Sequence, residues 1–324
     1  MNQNIYPLSY MICDEDIVLG NCEKKHVWAE VIPGFPETYR FGPNDEKEYR
    51  KMYKESRFAF TWKKGGWDCL RHYEILANGC IPVFRDLISC PTDTLNSYPK
   101  ELIIRANNEL IPWRDTEEYI KKYDYYQKKL LQHTRNYLTT SAGARYFLQV
   151  LNQNKIISSP KILFICCHEG VNYLREFLFI GCNRLCKKLG GECIMYPVLD
   201  FLYDYYSAED LANKHGMGYG YGRRLQKTTE KELNSPSESE ICNSIENHDW
   251  DYIVFAKVGP DEGANGSIPN LPYWNRVQEK YTKDEIVFLY GGDEAQDMRT
   301  DNVYSRHLKY HAQFGKCFVR ELIN

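Results

Sequence analysis

A chain of 324 residues with 43% hydrophobic content is long enough for two ordinary domains, each with a substantial core. Its net charge of −3 and pI near 6.3 give no general attraction to polyanions, which argues against nucleic acid as the main partner. Twelve cysteines include no Cys-x-x-Cys pair, and Cys182 and Cys186 sit at helical i,i+4 spacing without a second ligand pair. Buried, reduced thiols are therefore expected rather than a disulfide framework or structural zinc. The first residues carry no basic segment leading into an apolar core, and no run approaches the length of a membrane span. The expectation is a cytoplasmic protein with no membrane span.

In chain order, a strand is predicted near 27–32, a polar helix over 45–55 and a strand at 58–62. A helix bearing Arg71 and Glu74 follows, then a strand at 81–84 and a short strand at 102–104. Strands separated by helices imply a parallel sheet covered on both faces. Residues 116–137 place Tyr119, Tyr123, Tyr126, Leu130 and Leu131 near helical spacing, and a second helix is expected at 142–151. The lysines at 121, 122, 128 and 129 alternate with acids and tyrosines and read as a solvated helix face.

Residues 152–160 are polar, lack periodicity and end in Ser158-Ser159-Pro160, which places a linker there. The apolar run 161–167 suits a central parallel strand and opens a second unit. It continues with a helix at 173–189, a strand at 192–196, a glycine- and tyrosine-rich loop, and strands at 252–258 and 285–290. The expected fold class is α/β, with two Rossmann-like domains built on parallel sheets over 1–155 and 156–324.

Chemistry concentrates at 56–84. A serine-led strand runs into Lys63-Lys64-Gly65-Gly66, then a helix with Arg71 and Glu74 at i,i+3, then Gly79-Cys80-Ile81-Pro82-Val83. An i,i+3 pair projects from one helical face, so a cation and a carboxylate there can grip two parts of one ligand. A guanidinium is a rigid fork for paired phosphate oxygens, and glycines allow the close backbone approach a phosphate cradle needs. The bland alternatives are an intrahelical salt bridge between Arg71 and Glu74, and a surface turn at 63–66.

These thirty or so residues resemble the donor-binding signature of GT-B glycosyltransferases, closest to the exostosin-like pattern. The resemblance implies that Arg71 contacts the diphosphate of a nucleotide-sugar and Glu74 its ribose; beside it, the cationic Lys63-Lys64-Gly65-Gly66 loop and, more weakly, Lys24 and Lys25 read as further diphosphate contacts from their own charge and position. The resemblance also implies transfer of a sugar to a hydroxyl of a glycan or small acceptor; no obligatory cofactor or metal is expected, since Arg71 and the lysine cations can neutralise the leaving diphosphate. Gly66 stands eight residues before Glu74, where retaining members often carry a second Glu, which tilts the expectation toward inversion.

The order is reversed relative to that family, because the donor-type domain comes first. Circular permutation and the gain of an unrelated Rossmann domain both account for this, and residues 318–322 could lead into 5–8 if the halves were rejoined.

By the same resemblance His168, just after the strand at 161–167, is the candidate base, with Glu169 as fallback and Asp293 to orient the imidazole or contact acceptor. A structural role at a helix start is the alternative for His168. The loop 215–224 fits no phosphate-loop pattern and suits an acceptor-binding lid or simple disorder. Asp249-Trp250-Asp251 precedes a strand and reads as a turn rather than a metal motif. A second hypothesis is a non-catalytic nucleotide- or glycan-binding module.

Overall fold

Two main parallel sheets, and a two-stranded parallel pair formed near the end of the chain, grow out of the two runs of alternating strand and helix. The computed structural model describes residues 4–324 apart from Asn21, 154–156, Glu169, 228–234 and 261–266. The chain opens with β1 (Ile5–Pro7) and then forms β2 (His26–Trp28), α1 (Glu46–Glu55), β3 (Ser56–Thr61), α2 (Leu70–Ala77) and β4 (Ile81–Phe84). Strands β2, β3 and β4 make a three-stranded parallel sheet in that order.

Next come α3 (Lys100–Leu110), α4 (Glu117–Tyr137) and α5 (Thr140–Leu151). The strand expected at 102–104 is part of α3. Ile103, Ala106 and Leu110 are its buried residues, at i, i+3 and i+7, so burial follows the helical and not the strand period. Helix α4 is capped by Thr116, whose side chain accepts from Tyr119 N, and its exposed face carries the Glu118–Lys122 pair.

The second run gives β5 (Lys161–Cys166), α6 (Tyr173–Lys188), β6 (Glu192–Tyr196), α7 (Ala208–Ala212), α8 (Glu238–Glu246) and β7 (Tyr252–Ala256). It ends with α9 (Trp274–Lys280), β8 (Ile286–Tyr290), β9 (Gln296–Asp297), α10 (Val303–His311), β10 (Lys316–Val319) and β11 (Leu322–Ile323). The main sheet is six-stranded, all parallel, in the order β1-β10-β8-β7-β5-β6. Strands β7 and β8 are buried along their whole length, as the continuous apolar runs require. The fold is thus α/β with Rossmann-like parallel sheets. Among the described residues no helix is long and apolar enough to cross a membrane, and the cysteines form no disulfide.

The halves interlock. Strand β1, from the start of the chain, pairs with β10 at the edge of the second sheet, where Pro7 needs no ladder donor on its open side. The segment after it turns toward the first half, with Ile12 N–H bonded to Leu138 O and Thr140 N–H to Ile12 O, at 2.9 Å each. Helix α5 packs on α6, and Gly181 makes that approach possible, since a Cβ there would strike Thr140 O. One buried cluster runs from Leu8 and Phe58 through Tyr73 and Phe147 to Phe164, Phe177 and Phe318, so both sheets share a core.

Arg320, 1% exposed, lies at the seam. Its Nη1 donates to Asp68 O at 2.5 Å, its Nε and Nη2 donate to Gly292 O at 3.1 and 2.6 Å, and Nη2 also meets Asp293 Oδ1. The guanidinium lies 4.6 Å from the centre of the Tyr10 ring. Arg320→Ala would leave these acceptors and a buried charge cluster without their partner, with an expected loss of about 3–5 kcal/mol. The half-exposed pair Arg184–Glu15 should contribute no more than about 1 kcal/mol when Arg184 is replaced by alanine. Urea unfolding of the two variants checks the contrast, and equal losses would refute the seam as the weight-bearing contact.

Candidate functional site

The carboxyl ends of both sheets open onto one cavity of about 610 Å³. From the first half, Lys64, Gly65, Gly66 and Asp68 to Arg71 line it after β3, with Glu74 one turn further along α2. From the second half, Asn172 and Tyr173 line it after β5, Lys257 after β7, and Gly291 to Glu294 after β8. Tyr10 and Arg320 line it after β1 and β10. Ligands of open α/β sheets bind beyond the carboxyl ends of strands, where neighbouring connections diverge to opposite faces. In the second sheet that divergence lies between β5 and β7, beside Lys257.

Arg71 and Glu74 do not spend themselves on each other. Arg71 is 8% exposed, its Nε donates to Thr61 Oγ1 and its Nη1 to Tyr39 Oη, both at 3.2 Å. Its Nη2 is buried with no hydrogen-bond partner in the protein. Glu74, also 8% exposed, accepts from Tyr49 Oη at 2.7 Å, and burial raises its carboxyl above the ordinary value. The intrahelical salt bridge weighed from the sequence is therefore replaced by two separate sets of neutral hydroxyl contacts. The N-cap Cys69 gives α2 no side-chain cap, His72 N–H bonds back to Cys69 O at 3.0 Å, and the residues that open the helix, Cys69 to Arg71, line the cavity.

The glycines at 65 and 66 are needed, and the atoms that need them belong to the second half. A Cβ on Gly65 would collide with the Asp293 carboxylate, and one on Gly66 with that of Glu321. Glu321 accepts from Trp67 N at 3.1 Å and from Asp68 N at 2.8 Å, which seats the loop before α2 on the second half. Of the two lysines in this loop, Lys64 lines the cavity near the Tyr39 ring, whereas Lys63 lies 5.3 Å from the Trp67 ring centre and does not. Lys24 is held elsewhere, its Nζ donating to Lys54 O at 2.8 Å, and it does not line the cavity. Lys25 pairs with Glu55 on the exterior.

On the second half, His168 follows β5 as expected but does not line the cavity. Its Nδ1 accepts from Gly170 N at 2.8 Å and lies 3.3 Å from Lys257 Nζ, so its proton sits on Nε2 and its lone pair is engaged. Glu169 lies outside the described residues. Asp293 lines the cavity, and its charge is met by Arg320 rather than by an imidazole. Asp251 accepts from Lys161 N at 2.8 Å at the start of β5, in keeping with the turn read at 249–251.

Several lining residues were not legible from the sequence as site residues. Tyr39, Phe41 and Tyr49 arrive from the loop after β2 and from α1, and their only sequence signal was aromatic density. The glycine-tyrosine loop, by contrast, reads from the sequence as an acceptor lid or as disorder, and its His215, Met217 and Tyr219 line the cavity as it folds across to the first half. Tyr219 Oη donates to Gly42 O, Gly220 N to Glu46 Oε1 at 3.1 Å, and Arg224 reaches Asp16 at 3.0 Å and Glu46 at 3.2 Å. Gly218 permits this path with φ of 74°, and a Cβ there would strike Leu211. The loop is thus ordered and roofs the cavity.

Compared with protein-family models, with curated proteins and with solved structures, the chain matches none.

Burial pushes the Asp68 carboxyl up to about 7, against the opposing pull of Arg320. The ordinary aspartate value is near 4, so between about pH 4 and about pH 7 the folded chain holds this proton and the unfolded chain releases it. The contribution is fully present below about pH 4 and is lost as pH rises through about 7. Asp68→Asn should therefore flatten the decline in unfolding free energy across that window, measured by urea titration at several pH values. An unchanged slope would mean that Asp68 stays ionised throughout.

Proposed function

We propose that this chain is a glycosyltransferase of GT-B type with permuted domain order, which moves a sugar from a nucleotide-sugar to a hydroxyl of a glycan or small acceptor. The observation that carries the reading is Arg71: a buried guanidinium with one nitrogen unused, on the wall of a cavity between two parallel sheets. Leaving such a donor unpaired costs about 1–3 kcal/mol, which a diphosphate oxygen would offset. Lys64 and the uncapped start of α2 add positive potential at the same end, as a leaving diphosphate requires. Glu74, which accepts from Tyr49 on one oxygen, would accept from a ribose hydroxyl on the other.

In this reading the sugar lies toward the second half, near Lys257 and Gly291, and the acceptor enters under the 215–224 loop, where Tyr173, Tyr219 and His215 offer faces to stack on a sugar ring. A base at His168 would have to release its bond to Gly170 N–H before it could take the acceptor proton. His215 is the imidazole that lines the cavity in this arrangement. Direct, inverting displacement at the anomeric carbon accords with Gly66 at the position eight before Glu74, and Arg71 with Lys64 can neutralise the leaving diphosphate without an obligatory metal. That His168 lies off the cavity wall favours one alternative, a nucleotide- or glycan-binding module without turnover.

Titration of the purified chain with UDP, GDP and CMP and their sugar conjugates tests the donor site, because a bound ligand raises the melting temperature by mass action. Arg71→Ala should weaken the selected nucleotide about ten- to a hundredfold, and Glu74→Gln about three- to tenfold. No binding by the parent chain, or binding unchanged in both variants, would overturn the assignment. Release of nucleoside diphosphate with an acceptor separates enzyme from binding module, and its loss in His168→Ala or His215→Ala identifies the imidazole that matters.

A further inference from the structure

Behind Arg71 runs a hydrogen-bonded chain that ends in the other half of the molecule. Arg71 Nε donates to Thr61 Oγ1 at 3.2 Å, Thr61 Oγ1 lies 2.8 Å from His72 Nδ1, and His72 Nε2 lies 2.9 Å from Trp67 O. The next amide of the same peptide unit, Asp68 N–H, donates to Glu321 Oε1 at 2.8 Å. Thr61 and His72 are 0% exposed and Glu321 is 3% exposed.

Every link in this chain has one allowed polarity. Burial, helped by the Arg71 charge, lowers His72 to about 3, so the ring is neutral and carries one N–H. Trp67 O can only accept, which puts that proton on Nε2 and leaves Nδ1 as an acceptor. Thr61 must then give its hydroxyl hydrogen to His72, and its oxygen lone pair is left for Arg71 Nε–H. The peptide between Trp67 and Asp68 is polarised at both ends, by His72 on its oxygen and by Glu321 on its nitrogen, and such chains strengthen their members.

We propose that Thr61, His72 and Glu321 are positioning residues for Arg71, which fix the plane of its guanidinium and tie that setting to the docking of the two halves. This rests on the reading that Arg71 binds the anionic part of the ligand. The chemistry of the supports fits that task. A carboxylate partner would orient Arg71 but compete with an incoming phosphate, whereas a neutral hydroxyl, a neutral imidazole and the Tyr39 hydroxyl orient it and leave its charge available. The sole carboxylate in the chain, Glu321, acts at the far end through a peptide group.

Isothermal titration with inorganic pyrophosphate tests the proposal on the full chain. Thr61→Val keeps the shape and removes the hydroxyl, and should weaken pyrophosphate about three- to tenfold, while Thr61→Ser should stay within about twofold of the parent. His72→Leu should match Thr61→Val, whereas His72→Gln, whose amide can both donate to Trp67 and accept from Thr61, should restore binding to within about twofold. Rescue by the two conservative variants is a result that general loosening of the core would not give.

If Arg71→Ala weakens pyrophosphate and Thr61→Val and His72→Leu, both folded by circular dichroism, do not, the relay is refuted while the anion site stands. If Arg71→Ala leaves pyrophosphate binding unchanged, or the parent chain binds none, the anion site and the relay fall together.

Discussion

A buried guanidinium without an exclusive partner is a costly object, and Arg320 is the one on which this molecule is organised. It stands just beyond β10, where the second sheet ends, and reaches Asp68 O in the loop that opens α2 of the first half. Its remaining donors go to Gly292 and Asp293 after β8. Burial opposes its charge, yet Tyr10, Glu321, Asp68 and Asp293 around it hold its pKa above the ordinary value. Because it bonds two backbone carbonyls as well as a carboxylate, it fixes main chain to main chain across the seam. The cavity is the space that this fixation leaves between two sets of strand ends.

From that constraint follows the role of the glycines at 65 and 66. The sequence reading gave them to a phosphate, by the general rule that glycine lets backbone approach an anion. Carboxylate oxygens do crowd both Cα atoms here, those of Asp293 at Gly65 and of Glu321 at Gly66. Local sequence cannot distinguish a carboxylate supplied by residue 321 from a phosphate supplied by a ligand. Both ask the same thing of the loop, and a partner more than 250 positions away is invisible at that range.

Much of the fold was legible because burial imprints a period. The runs of β5, β7 and β8 are apolar throughout since both faces are covered, and α4 repeats its buried residues from Tyr123 to Thr134 at helical spacing. What misled was brevity. A three-residue apolar stretch at 102–104 carries no period of its own, and only the longer view through Ala106 and Leu110 reveals α3. Strand β1, three residues long, carries no period that would mark it as the partner of β10, although 5–8 is apolar and 318–322 opens on Phe318-Val319. Arg71 and Glu74 reach the cavity because their helix position dictates it. Lys24 does not, because a lysine stem is long enough to choose its own acceptor, here Lys54 O.

The same distinction explains which candidates the structure gathers and which it leaves apart. Residues whose direction is set by backbone, such as Arg71, Glu74, Gly65 and Gly66 in one half and Gly291 and Asp293 in the other, meet at the cavity. His168 has its backbone in the expected place, after β5 and near the divergence of the second sheet, yet its ring is turned to Gly170 N–H and Lys257. Arg175 holds that turn from below, its Nη2 donating to Gly170 O at 2.6 Å and its Nη1 gripping His168 O. The Arg71 wall of the cavity is thus prearranged by packed, neutral contacts. The direction of the His168 ring, off the cavity wall, depends on a two-residue hydrogen bond, a far weaker restraint than the buried chain behind Arg71. The two halves meet through Glu321 and Arg320, so the setting of Arg71 is tied to the same seam that defines the cavity, whereas the direction of the His168 ring is not.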